Sequence, residues 1–340
     1  MKVLIAGEAS VHVSNYCRAI HPYVEKLVLL TETPLDVPEA SGSYRVSFRN
    51  FNPFQWRQGL QELKKIIQTE KPDLIHVHQV NRLAYFVCLA APKEIPVIAT
   101  AWGSDVLLVP KRNFLFRYFT TKVLRQSVYV TADARVMIDA MQKLVPGESK
   151  YVLLQYGIDP IVPVAKEKII FSNRLHRPLY NIDTILRDFA GFVKTNPEWK
   201  LCIGGSGPET ANLTELASAL QVSGKVEFLG WLKKNENDSN YARASIYVSI
   251  PSSDGTSVSL LEAMSAECIP VVSNLPVTKE WITDGVNGVV RNEEQNPFTE
   301  ALSLDRARCV RINKEVIGKE VDRKETTKIF YTLYEQVKRK

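Results

Sequence analysis

Short apolar runs alternate with amphipathic runs along this chain, and the alternation starts twice. In the first round Lys2–Ala6, Val28–Leu30, Tyr44–Phe48, Leu74–His78, Pro96–Thr100, Ser127–Thr131 and Val152–Leu154 read as strands. Between them Ser14–Val24, Gln55–Glu70, Leu83–Ala91, Phe114–Arg125 and Ala134–Lys143 carry helical spacing. The rhythm restarts with the strands Ile169–Ser172, Lys200–Ile203, Val226–Leu229, Ala244–Ile250 and Ile269–Val272, with helices at Ile182–Thr195 and Thr210–Gln221. A strand that is apolar at nearly every residue must be covered on both faces, the condition of a parallel sheet whose strands are joined by helices. The expected fold is therefore α/β: two Rossmann-like β/α/β domains, over 1–162 and 163–323, followed by an amphipathic helix over 324–340. The break falls in Pro160-Ile-Val-Pro-Val-Ala-Lys166, which has two prolines and no clear period.

A length of 340 residues suits two such domains, and 45% hydrophobic residues are enough to fill both cores. The five cysteines stand singly with no CxxC pair, which excludes a zinc ribbon, a redox pair or a disulfide scaffold and fits a reducing cytosol. The apolar run at Lys2–Ala6 is too short for a signal-peptide core, and no run approaches the ~18 residues of a membrane span. The expected location is cytoplasmic, with any membrane contact peripheral and at the inner face of the plasma membrane.

Charge is unevenly placed. Residues 1–165 hold 19 Lys/Arg against 14 Asp/Glu, whereas 166–340 hold 24 against 23. Lys111–Arg125 contributes five of the basic residues and no acid, with Phe114, Leu115, Phe116, Tyr118 and Phe119 interleaved. Such a stretch can lie on an anionic bilayer, or form a helix with one core face and one solvated face. Nucleic acid is not an expected partner, because no recognition fold accompanies the basic residues.

Asp254-Gly-Thr-Ser-Val-Ser-Leu-Leu-Glu262 follows a strand-like run and a Pro251-Ser-Ser253 breaker, and its apolar spacing then turns helical. Thr256 or Ser257 can cap the helix, whose free N–H groups and dipole favour a phosphate, while Glu262 can reach hydroxyls of an attached sugar. A capped helix with a buried carboxylate fits the same residues. Ser172-Asn-Arg174-Leu-His-Arg177 places two arginines past a strand end, where ligands bind in open α/β sheets. Trp102-Gly103-Ser104-Asp105 sits past another strand end, and His12 is either a cleft residue or a polar residue at a helix start. Gly204-Gly205-Ser-Gly207 can accommodate a diphosphate or serve as a plain tight turn. The first strand is followed by Gly7 alone, without the three glycines of a dinucleotide site, so a nicotinamide or flavin enzyme is not expected. His76 and His78 are expected to face opposite ways and share no metal. With no Asp-x-Asp pair or Cys/His cluster, no metal site is expected.

Several of these pieces together resemble glycosyltransferase family 4, retaining group 1 glycosyltransferases of the GT-B fold. They are Pro72–His78, Trp102–Asp105, Gln155-Tyr-Gly-Ile-Asp159, Gly205–Pro208, Val226–Gly230 and the acid-x7-Glu motif from Asp254 to Glu262. The resemblance implies two domains facing across a cleft and a final helix crossing back onto the first. It implies transfer of a sugar from a nucleoside diphosphate sugar to a hydroxyl, with retention. No cofactor is implied beyond that substrate, with a UDP-sugar favoured over a GDP-sugar. Arg174, Arg177, Asp254 and Glu262 become the catalytic set, with Glu262 on the ribose and Asp254 facing the sugar. Gly255, Thr256, Ser257, Val258 and Gly205 would hold donor, and Trp231 and Leu232 would border the base. His12, Trp102, Gly103, Ser104 and Asp105 would line the acceptor side. The acceptor implied is a glycan or lipid-linked glycan in surface polysaccharide or lipopolysaccharide synthesis. Alternatives on the same fold are a nucleotide-sugar epimerase or hydrolase, or a non-catalytic sugar-binding subunit. The chain departs from the family pattern at Asp254, where Glu is usual, at Tyr180, where a Lys is usual, and at Trp102, where a His is frequent.

Overall fold

The computed structural model describes residues 1–147, 150–318 and 321–338. The chain divides into two compact units, one formed by Met1–Tyr156 with the segment from Arg323, the other by Gly157–Asp322.

In the first unit β1 (Lys2–Gly7), β2 (Lys26–Thr31), β3 (Gly42–Arg45), β4 (Leu74–His78), β5 (Val97–Thr100), β6 (Tyr129–Ala132) and β7 (Tyr151–Leu153) form one parallel sheet. Their spatial order is β3-β2-β1-β4-β5-β6-β7. The second unit pairs β8 (Glu167–Ser172), β9 (Lys200–Gly204), β10 (Val226–Gly230), β11 (Ala244–Ser249), β12 (Ile269–Val272) and β13 (Val289–Val290), also in parallel. Their order is β10-β9-β8-β11-β12-β13. The all-apolar strands are explained by what covers them. One cluster, with Ile170, Leu201, Phe189 and Phe298, packs one face of the second sheet, and another, with Phe171, Tyr247, Leu261 and Met264, packs the other. In each sheet the order reverses beside the first strand, between β1 and β4 and between β8 and β11. Loops leaving two such strands diverge to opposite faces and open a crevice at their carboxyl ends.

The helix Arg323–Lys338 buries Thr326, Thr327, Phe330, Leu333, Tyr334 and Val337, one stripe at three- and four-residue spacing. The stripe lies on the first unit. The Tyr334 hydroxyl meets the Tyr16 hydroxyl at 2.7 Å and His76 Nδ1 at 2.6 Å. His76 Nε2 continues to Thr100 Oγ1 at 2.7 Å, which meets Thr131 Oγ1 at 2.7 Å.

Several local expectations need correction. The first helix is Val11–Ile20, because Ser10 caps it by accepting from the Val13 N–H and Pro22 sits in a short 3-10 turn that follows. The third strand covers Gly42–Arg45 and stops before Val46 and Phe48, which turn into the core. Helices at Lys234–Arg243, Pro297–Ser303 and Arg306–Ile317 were not anticipated, their polar composition masking the period. His76 and His78 share a face, since residues two apart on a strand point the same way. Their rings lie 4.3 Å apart.

Candidate functional site

The crevice between β8 and β11 gathers the strongest of the sequence candidates. The loop after β8 carries Asn173 and Arg174, and the loop after β11 carries Asp254 and leads to Ser257. That serine caps the helix Val258–Ser265, its hydroxyl accepting from the Leu260 N–H. Arg174 donates to Asp254 Oδ2 at 2.7 Å and to Ser257 Oγ at 2.8 Å. Its guanidinium lies over the Tyr180 ring, 4.5 Å from the centroid. Burial is the largest single effect on the Arg174 pKa and would depress it, but the Asp254 charge and hydrogen bond, together with Tyr247 and Tyr180, outweigh it and hold the group above the ordinary guanidinium range. Asp254 also accepts from the Gly255 N–H at 3.0 Å, and Thr256 Oγ1 takes the Trp281 indole N–H at 3.3 Å.

Beneath Arg174 lies a clamp. The Asn173 amide donates to Tyr241 Oη at 2.7 Å and to Asn237 Oδ1 at 3.1 Å, while Tyr247 Oη donates to Asn173 Oδ1 at 3.1 Å. Burial raises the pKa of both tyrosines, and the Glu262 carboxylate pushes them further the same way. Glu262 is half-buried in the second turn of its helix, near these rings. Sequence reasoning missed the clamp. The available signal was Tyr247, a residue with a polar tip inside an otherwise small and aliphatic strand.

Arg177 is placed apart from this network: it is exposed, opens the 3-10 turn Pro178–Tyr180, and makes no ion pair among the described residues. Trp231, 64% exposed, and Leu232 follow β10. Gly205 has φ +99°, and a Cβ there would meet the Arg174 carbonyl oxygen at 2.5 Å. A Cβ on Gly207 would collide with the His176 carbonyl oxygen. These glycines let one loop back directly onto the loop that carries Arg174. A polar groove of about 360 Å³ is lined by Asn181, Thr184, Ser252, Asn274 and Arg291 among others, and none of Arg174, Asp254 and Glu262 borders it.

At the crevice of the first unit the exposed His12 lies 4.8 Å, ring to ring, from half-buried Trp102, and Tyr156 lies 5.2 Å from Trp102. Tyr156 donates to the His12 carbonyl oxygen at 2.5 Å. Gly103, at φ +114°, makes the turn into the short helix Ser104–Leu107, and Ser104 is exposed. Asp105 is turned inward, accepting from Val80 N at 2.7 Å and Trp102 N at 3.1 Å. It fastens the ends of β4 and β5, and burial raises its pKa against those N–H groups. His78 is buried beside Tyr16, with neither ring nitrogen hydrogen-bonded, and burial holds its pKa down at about 3. Among the described residues no group of three or more His, Cys, Asp or Glu is placed to hold a metal ion. Nor is any described helix long and apolar enough to cross a membrane.

Two family models match the chain. Residues 2–134 match glycosyl transferase 4-like proteins, and residues 160–304 match glycosyl transferases group 1. The chain belongs to the group 1 glycosyltransferases. It is 24% identical over 226 residues to the N-acetyl-alpha-D-glucosaminyl L-malate synthase of Bacillus anthracis, 60% of this chain and 57% of that one. To the phosphatidyl-myo-inositol mannosyltransferase of Mycolicibacterium smegmatis it is 24% identical over 242 residues, 67% of this chain and 60% of that one. Both alignments take in less than two thirds of the relative's own length. The fold matches that of Anabaena HepE, solved in complex with UDP and glucose, at a TM-score of 0.81 and 11% identity, covering 99% of this chain and 100% of that one. This group 1 glycosyltransferase thus has the two Rossmann-like parallel sheets of its GT-B relatives.

Proposed function

We propose that this chain transfers a sugar, with retention at the anomeric carbon, from a nucleoside diphosphate sugar to a hydroxyl of a glycan or lipid-linked glycan. The observation that carries the proposal is Arg174, held at the reversal of strand order against the serine that caps the Glu262 helix. A diphosphate in that crevice would meet a fixed cation and the N–H groups of a helix start. As the glycosidic bond breaks, negative charge grows on the leaving diphosphate, and charges already in place stabilise it without reorganising. Arg177, exposed on the same loop, can swing onto the second phosphate. One such donor lowers the barrier by on the order of 3 kcal/mol. Glu262 takes the ribose hydroxyls and Asp254 the transferred sugar. The diphosphate, acting on the face it leaves, accepts the acceptor's proton, and no metal takes part. The complex of Anabaena HepE with UDP and glucose supports a UDP-sugar donor. The Mycolicibacterium relative, named for phosphatidyl-myo-inositol, supports a lipid acceptor.

The test is a thermal-shift screen with UDP, GDP, ADP and their sugars, since a ligand that binds only folded protein raises its unfolding temperature. Glu262→Ala should lose the shift and the transfer while unfolding as cooperatively as wild type. Full transfer by that variant would sink the proposal.

A further inference from the structure

Two stretches of the first unit carry no carboxylate. Residues 40–61 hold three arginines and residues 106–132 hold five Lys/Arg, with no Asp or Glu in either. Remote in sequence, they meet in the fold. The Phe51 ring stands edge-on to Phe116 with centroids 6.2 Å apart, and the Arg82 guanidinium sits 4.8 Å above Phe51. Below them Trp56 and Phe119, 6.3 Å apart, tie the surface to the core. Above, Phe51, Phe54 and Phe114 project with 58%, 67% and 85% of their surface exposed. Arg45, Arg49, Arg57, Lys111, Arg112 and Arg117 surround them, all exposed. Glu32, which reaches this surface, has a side chain only 7% exposed and is held by Arg49 and the Phe48 N–H.

The placement follows from the topology. The helices Pro53–Glu70 and Arg82–Ala90 start just past the carboxyl ends of β3 and β4, and Phe114–Gln126 follows β5 through two short helices. Their amino-terminal turns therefore share one sheet edge, which also carries His12 and Trp102 past β1 and β5. Phenylalanine has no polar tip, so three projecting rings gain little from a wet partner and much from a medium that buries them. Basic side chains between such rings match the phosphates of an anionic interface.

We propose that this edge of the first unit docks on an anionic lipid bilayer, with Phe51, Phe54 and Phe114 entering the headgroup region. The purpose of the docking rests on the proposed function, because it brings a lipid-linked acceptor to the edge that carries His12 and Trp102. The surface itself does not depend on that reading. Each basic residue near an anionic membrane contributes about fivefold in binding.

The experiment is sedimentation of the protein with vesicles of phosphatidylcholine alone, and of phosphatidylcholine mixed equally with phosphatidylglycerol. A nucleotide thermal shift is measured on every variant. Wild type should sediment with the anionic vesicles, fade with added salt, and stay in solution with the neutral ones. Phe51→Ser/Phe54→Ser/Phe114→Ser should weaken binding at least tenfold, and Arg112→Glu/Arg117→Glu about 25-fold or more, with unfolding temperature and nucleotide shift unchanged. Wild type that ignores anionic vesicles, or undiminished binding by the phenylalanine variant, overturns the inference. So does tight binding to single-stranded oligonucleotide with none to vesicles. Vesicle binding without any nucleotide shift in wild type would instead overturn the proposed function and leave the docking surface standing.

Discussion

Arg174 and Asp254, 80 positions apart, form an ion pair of 2.7 Å because their loops leave the same edge of two adjacent parallel strands. The pair also fixes the plane of the guanidinium, which lies over Tyr180 and reaches Ser257. Arg174→Ala should lower the transfer rate on the order of 10²–10³-fold, the range found when one preorganised donor is removed. Arg174→Lys should recover little, since an ammonium cannot fork onto two partners and lie flat on a ring. Steady-state release of nucleoside diphosphate measures both, and a near-wild-type rate for either variant counts against this role.

Gly205 is the backbone counterpart of that pair. An alanine there must keep φ near +99° and push its Cβ into the Arg174 carbonyl oxygen. Gly205→Ala should therefore displace the Arg174 loop, weakening nucleotide binding measured calorimetrically and lowering stability. An equally tight nucleotide complex would show that the loop tolerates the shift.

Ser257 caps the Glu262 helix while accepting from Arg174. Ser257→Ala should cost about 1 kcal/mol of stability, the usual loss for an N-cap, visible as a drop in the urea midpoint. It should also raise KM for the donor. Ser257→Thr, which keeps the oxygen, should restore both.

His76 and His78 are both buried, and burial depresses their pKa values, His78 to about 3 from 6.5. The unfolded chain takes up these protons below pH 6.5 and the folded chain does not. Stability is thus fully present above pH 6.5 and falls as pH drops toward 3. At pH 5 the loss from His78 is on the order of 2 kcal/mol. Urea midpoints at pH 7 and pH 5 should show the decline, and His78→Asn should reduce it, leaving the part that His76 contributes.

Tyr334→Phe removes one hydroxyl and strands two buried partners, the Tyr16 hydroxyl and His76 Nδ1. Each unsatisfied group costs about 1–3 kcal/mol, so a lowered unfolding midpoint is expected with nucleotide binding untouched.

The alternation of apolar runs made both parallel sheets legible, and the breaker before Asp254 with the capping serine made the helix start legible. Arg174 was legible as a cation past a strand end. Its pairing with Asp254 was not, because nothing in chain order says that β8 lies beside β11 rather than β10. The Asn173 clamp was hidden for the same reason, since Tyr241 and Tyr247 come from later elements. The shared face of the two histidines was legible from the two-residue period and was misread. The helix Lys234–Arg243 was hidden by chemistry: apart from Tyr241 and Ala242 it is built of polar residues.

The first unit is discontinuous, its sheet coming from the residues up to Tyr156 and its closing helix from Arg323–Lys338. During synthesis the seven strands emerge well before that helix, while the second unit, from Gly157 to Asp322, is made without interruption. Domains tend to fold as units in the order they leave the ribosome. Here the later unit is complete first, and until residues 323–338 arrive the earlier one keeps Tyr16 and His76 waiting for the Tyr334 hydroxyl. A released chain ending at Asp322 should therefore carry a protease-resistant second unit and a protease-sensitive first one.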